Sequence, residues 1–482
     1  MTINLKTLTI SKAHDSLVKG EYSAVELADA YLSEIEKKNK DLNAYLEVFS
    51  DVREQAKEAD KKLKNTPASE LSNLVGIPLA IKDNILIEGR RVGAASKILE
   101  GYVASYDATA IKKLKEAGAV FLGRTNMDEF AMGSSTETSA YGITRNPHDM
   151  TRVPGGSSGG SATAVAANMA LAALGSDTAG SVRQPASFCG VAGFKPTYGS
   201  VSRFGLMAMG SSLDVIGPIA KNTEDAQTVF ECMMGRDSLD STSIELPTTT
   251  DQPLTPRKIG VPRALLEGVD ADVRSNFEQA LGHYATMGCE IRDIEFSYVS
   301  YSLPAYYVII PAEVSTNLAR FDGVKFGLHK DGKNLLEDYL LTRREGFGRE
   351  ARRRILLGTY VLSAGYADAY YNKAVKVRRL IQNELHSTFS SGVDFIATPT
   401  SPVPAFKIGE KTTDPLQMYL MDIFTVIANM AGIPAISVPS GFVDRDGKKL
   451  PVGLQLMAAH GDDINLLEAG KRFERASVLP RG

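Results

Sequence analysis

Apolar and polar positions follow two different periods along this chain, and the change from one to the other lays out its architecture. Between residues 23 and 38, Leu27, Tyr31 and Ile35 recur at i+4 spacing behind Ser23 and Glu26. This pattern predicts a capping box at the start of an amphipathic surface helix. A second, mixed helical stretch continues to about Lys64. From Leu74 short apolar runs alternate with helical periods: VGIPLAI, then a helix expected to be capped by Asp107 and to end at Gly118, then AVFLG. After a polar stretch at 236–257, read as a surface loop or hinge, the pattern resumes with RKIGVP, a helix near 271–286, CEIRDIEF, VDFIATPT, AISVPS and PVGLQLMA. Such alternation predicts an α/β fold with a mixed, mostly parallel central sheet and helices on both faces. The longest apolar run, Ala162 to Leu174, is alanine-rich and shorter than the roughly 20 residues that span a bilayer, so it reads as a close-packed core helix.

Composition narrows the function classes. With 43% hydrophobic and 23% charged residues among 482, the chain is ordinary globular protein, long enough for two domains or one large unit. A formal net charge of -3 provides no global attraction for a polyanion, which disfavours a primary nucleic-acid binder. Cys189, Cys232 and Cys289 are widely spaced and never in a CxxC pair, so neither a disulfide framework nor a zinc site is expected, and a reducing compartment fits. The start, MTINLKTLTISKAHDSL, lacks the features of a signal or transit peptide, so a cytoplasmic location is the expectation.

The candidate chemistry lies in three segments. The glycine-rich loop PGGSSGG at 154–160 suggests a phosphate cradle, yet it lacks both the terminal GK[ST] of a phosphate loop and the strand-borne GxG of a dinucleotide site. Gly155, Ser157 and Gly159 also satisfy the GxSxG of a nucleophile elbow, but the polar, proline-broken ITRNPHDMTRVP stands where that elbow needs a hydrophobic strand. A third reading makes Ser181 the nucleophile, because the small residues of TAGS leave the backbone N–H groups of Thr178, Ala179, Gly180 and Ser181 free to meet an oxyanion. Lys82, at the end of an apolar run, can act as base if burial lowers its pKa, and Ser157 can bridge the two. Taken singly, a lysine snorkelling to water and serines chosen for turn propensity are the favoured readings; together the three describe amide cleavage without histidine.

IKDN at 81–84, PGGSSGGS at 154–161 and DTAGSVRQPA at 177–186 resemble the amidase-signature family. The resemblance implies one α/β/α domain over residues 1–482, with a helical N-terminal segment at 1–70. It also implies Lys82 as base, Ser157 as a cis-peptide serine and Ser181 as the acylated nucleophile. RTNMDEFAMGSSTETSAYG, PTYGSVSRFGLMAMGSSLDVIGP, STNLARFDGVKFG and RRRILLGTYVLSAGY are similar to the branch formed by the A subunits of tRNA-dependent amidotransferases. That likeness implies glutamine as substrate, with its α-carboxylate on Arg354, or on the neighbouring Arg353, and its α-amino group on Asp422. It further implies a heterotrimer with B and C subunits, tRNA held mainly by the B subunit, and ATP with Mg used there, with no metal or organic cofactor in this chain. The alternatives are a free-standing amidase and a catalytically silent scaffold subunit. Two departures stand out: DTAGS where the family has DTGGS, and Gly133-Ser134-Ser135 where it has GGS. If position 179 needs φ above zero, Ala179 would be strained by about 1–2 kcal/mol.

Overall fold

One sheet of 11 strands runs through the computed structural model, which describes residues 3–247 and 257–477. The strands are β1 (Tyr45–Val48), β2 (Pro78–Lys82), β3 (Val120–Thr125), β4 (Ala172–Asp177), β5 (Ala192–Lys195), β6 (Val215–Ala220), β7 (Lys258–Val261), β8 (Glu290–Asp293), β9 (Phe395–Pro399), β10 (Ala435–Arg445) and β11 (Lys448–Ala458). Their spatial order is β1-β3-β2-β4-β6-β5-β10-β11-β9-β7-β8. β2, β4, β5, β6 and β9 are buried along their whole length, and apart from the charged residues that end β2, β4 and β5 (Lys82, Asp177 and Lys195) they consist of apolar or small residues.

The sheet is mixed, but the expectation that it is mostly parallel needs correction. Parallel pairing is confined to β3-β2-β4 and to β9-β7-β8. The other neighbours, β1/β3, β4/β6, β6/β5, β5/β10, β10/β11 and β11/β9, are antiparallel. The hairpin of β10 and β11 turns through Asp446 and Gly447, both at positive φ, and a turn that tight can only return the chain antiparallel.

Local signals were reliable where a side chain does the work. Ser23 caps the helix Ala24–Leu42, with Ser23 and Glu26 exchanging both capping-box bonds, and Leu27, Tyr31 and Ile35 face the core. The helix Ala271–Thr286 lies where its period placed it. Asp107, in contrast, does not cap the helix Thr109–Glu116: it accepts the N–H of Glu88 at 2.8 Å and pairs with Lys115, leaving Ala108 at the cap position. The apolar run Ala162–Leu174 is not one helix either. The helix Gly159–Ala166 stops before Asn168, which sits at φ 58°, and the chain resumes as β4. Of the polar stretch 236–257, residues 248–256 lie outside the described residues; the part before them packs on the body through a buried Asp240 bound to Arg203 at 2.9 Å. No helix among the described residues is long and apolar enough to cross a membrane.

Candidate active site

β2 and β4 run side by side in the same direction, so their carboxyl ends open at one edge of the sheet. Crevices at that end are where α/β sheets build ligand sites. Lys82 is the last residue of β2 and is fully buried. Its Nζ lies 2.7 Å from Ser157 Oγ, 2.9 Å from Ser176 Oγ and 3.2 Å from the carbonyl of Ser176. Burial pulls its pKa down to about 7, against the opposing charges of Asp128, Asp177 and Asp214. Ser157 follows a cis peptide bond from Gly156, as the family resemblance implied, and stands one residue before Ser158, whose N–H donates to the carbonyl of Ser181 at 3.1 Å. The loops that carry Ser157 and Ser181 are thus tied together. Of the three residues only Ser181 retains exposure, at 7%; Ser157 and Lys82 have none.

The loop after β4 is folded around a carboxylate. Asp177 accepts the N–H groups of Gly180 at 2.8 Å and Val182 at 3.1 Å, and it is gripped by Arg183 Nε and Nη2 at 3.0 and 2.9 Å. Burial alone would raise its pKa, but the Arg183 guanidinium holds it down to about 2. This corrects one expectation. The Gly180 N–H is directed at Asp177, so the N–H groups of Thr178, Ala179 and Ser181 are those of the expected hole that the carboxylate does not take. The positive φ of the loop is at Gly180, 131°, not at Ala179, and a Cβ on Gly180 would stand 2.2 Å from Thr425 Oγ1. Ala179 therefore carries no left-handed strain, and its carbonyl accepts from Thr425 Oγ1 at 2.5 Å. Thr178 is anchored separately, its hydroxyl donating to Asp214 at 2.6 Å.

The two substrate anchors inferred from resemblance are brought to the same region. Arg354, on the helix Arg349–Val361, has a side chain only 4% exposed, whereas that of Arg353 is 31% exposed. The Arg354 guanidinium lies over the rings of Tyr307 and Tyr419, 5.3 and 5.5 Å from their centroids, and its Nε binds Glu350 at 2.9 Å. Those two rings stack on each other at 3.9 Å, and the Tyr419 hydroxyl donates to Glu350. Asp422 is buried near enough to feel the Arg354 charge, and both of its oxygens lie within hydrogen-bond reach of the Ser134 hydroxyl, at 2.9 and 3.0 Å. Burial pushes the Asp422 carboxyl up to about 7, while Ser134 and Arg354 pull the other way.

Several contributors escaped the sequence reading: Ser134, Ser176, Tyr307, Glu350, Tyr419 and the Asp177–Arg183 pair. The last two lie inside DTAGSVRQPA, where an acid and an arginine six residues apart signal a pair that shapes the loop. Nothing in the sequence marks Tyr307 or Tyr419, which are distant in the chain and meet only through the fold.

A model of the amidase family matches residues 26–467. The chain is 49% identical over 484 residues to the A subunit of the glutamyl-tRNA(Gln) amidotransferase of Thermoanaerobacter pseudethanolicus, covering 98% of this chain and 97% of that protein. Among solved structures, the A subunit of glutamyl-tRNA(Gln) amidotransferase from Thermotoga maritima superposes with a TM-score of 0.81 at 44% identity, over 99% of this chain and 96% of that one. A peptide amidase from Stenotrophomonas maltophilia reaches the same TM-score at 28% identity, over 97% of this chain and 96% of that one.

Proposed function

Because the chain belongs to the amidase family, we propose that it is the glutamine-hydrolysing A subunit of a glutamyl-tRNA(Gln) amidotransferase, the name its near-full-length relatives bear. The observation that carries the chemistry is the buried Lys82 amine 2.7 Å from Ser157 Oγ. A neutral amine has two N–H groups and one lone pair. Both N–H groups find acceptors on Ser176, which turns the lone pair toward the Ser157 hydroxyl.

Glutamine binds with its α-carboxylate on Arg354, which is pre-set by two rings and Glu350, and with its α-ammonium on Asp422. Ser181 Oγ attacks the side-chain carbonyl carbon. Its proton passes to Ser157 as the proton of Ser157 passes to Lys82 Nζ. The N–H groups of Thr178, Ala179 and Ser181 meet the oxyanion, with Asp177 and Asp214 holding the loop in place. Lys82 then returns the proton through Ser157 to the leaving nitrogen, the C–N bond breaks and ammonia departs. Water repeats the sequence on the glutamyl ester, releasing glutamate and restoring Ser181.

In this reading the ammonia passes to a B subunit that activates misacylated Glu-tRNA or Asp-tRNA with ATP and Mg, a C subunit joins the two, and the assembly works in the cytoplasm. The near-neutral charge supports assigning tRNA binding to the partner. The test is ammonia release from glutamine by the purified chain, alone and with the partner subunits, tRNA and ATP, using Ser181→Ala as control. The reading expects weak release alone, strong release in the assembly, and loss of nearly all turnover in the variant. Equal rates for both proteins would make the chain a scaffold, and brisk tRNA-indifferent cleavage of assorted amides would make it a free-standing amidase.

A further inference from the structure

We infer that Gln184 is a positioning residue that couples the relay serine to the pocket for the substrate's amino group, an inference that rests on the function proposed above. Gln184 is the second residue of the helix Arg183–Cys189 and is fully buried. Its side-chain amide leaves that helix and joins two loops. Oε1 accepts the N–H of Gly156 at 2.9 Å, and Nε2 donates to the carbonyl of Ser134 at 3.0 Å. Gly156 directly precedes the relay serine. Ser134 is the residue whose hydroxyl meets both oxygens of Asp422. A single planar group therefore ties the backbone beside Ser157 to the backbone that orients the amino-group anchor.

The residue type follows from its partners. A peptide N–H can only donate and a peptide carbonyl can only accept, so the bridge needs one acceptor and one donor at fixed separation, which is what a carboxamide offers. Both partners are buried, so losing either bond strands a backbone group away from water. The contact also explains the glycine at 155: it sits at φ 85°, and a Cβ there would lie 2.4 Å from Gln184 Oε1. Gln184 touches no reacting atom. Its effect is to keep nucleophile activation and glutamine recognition in one register, where a misplacement of about 1 Å costs about 100-fold in rate.

Gln184→Met keeps the length and removes both hydrogen bonds; Gln184→Glu keeps the acceptor and, while its carboxyl is neutral, the donor as well. Two readouts follow each variant. The rate of Ser181 modification by phenylmethanesulfonyl fluoride, measured by intact mass, reads the relay without needing glutamine, and KM for glutamine reads the anchor. Gln184→Met should slow sulfonylation at least about tenfold and raise KM in the same protein. Gln184→Glu should lie closer to the wild type in both, with its KM defect no smaller at pH 9 than at pH 6. The inference is overturned if Gln184→Met matches the wild type in both readouts, or if both variants lose both readouts equally at each pH, which marks a packing role only. Absence of glutamine turnover by the wild type would sink the proposed function instead, and the sulfonylation rates alone would then decide whether Gln184 orders the relay.

Discussion

An amine with no solvent exposure is an expensive thing to fold around, and Lys82 shows what the expense achieves. The unfolded chain protonates this lysine at its ordinary value of 10.5, whereas the folded protein does so only near 7. Between those values the unfolded state binds more protons, so the contribution of this residue to stability falls as the pH drops from 10.5 toward 7. Lys82→Met should accordingly abolish turnover, by about 1,000-fold or more, while leaving Tm at pH 7 equal or higher; a marked fall in Tm would show that the amine is there to hold the fold. The same ionisation sets a pH profile. Lys82 must be neutral and Asp422, pushed up to about 7, must be charged, so kcat/KM for glutamine should rise through pH 7 along a limb steeper than one proton. Asp422→Asn should reduce that limb to a single proton and raise KM by about 10- to 100-fold. A profile already flat between pH 6 and 8 in the wild type would contradict both assignments. Ala179, the apparent flaw in the family pattern, is harmless here because the left-handed turn belongs to Gly180.

Elements matter here chiefly as mounts for loops. The parallel pair β2 and β4 presents Lys82 and the 178–181 turn at one edge, and the helix Arg183–Cys189 sends Arg183 back to clamp Asp177. That ion pair has no exposure on either side chain, and Arg183 also donates to Asn429 at 2.7 Å and Gln455 at 2.6 Å. Arg183→Met strands a buried carboxylate, and it should destabilise the protein by about 3–5 kcal/mol in denaturant unfolding; a loss below about 1 kcal/mol would mean the loop does not depend on the clamp. The elements legible in the sequence were those with a capping residue or a bulky apolar run, such as Ala24–Leu42 and β11. β4, β5 and β6 carry no clear strand signal of their own, because AALGSD, AGFK and VIGPIA are short and rich in small residues, and the start of β4 falls inside the alanine-rich run Ala162–Leu174 that predicts a helix. Their β-structure comes from burial within the sheet, a property of the neighbours rather than of the segment.

At the scale of the whole molecule, one continuous sheet brings together groups separated by up to 340 positions, from Lys82 to Asp422. This is why the proposed triad could be picked out in the sequence and its surroundings could not. Lys82 closes an apolar run and Ser157 and Ser181 sit in short glycine-bearing motifs that announce them, whereas the choice between Arg354 and Arg353 depends on which side chain the fold buries against Tyr307 and Tyr419. Ser134 and Gln184 look like any loop serine and helix glutamine until the fold sets them beside Asp422 and Gly156. Turnover by this mechanism proceeds through a glutamyl ester at Ser181, formed by way of Ser157 and Lys82. Acid-quenching the protein during glutamine turnover and mapping the acyl group by peptide mass spectrometry tests it directly. The ester should be found on Ser181 in the wild type and be absent from Ser181→Ala and Lys82→Met. An ester on another hydroxyl, or ammonia release that persists in Ser181→Ala, would contradict it.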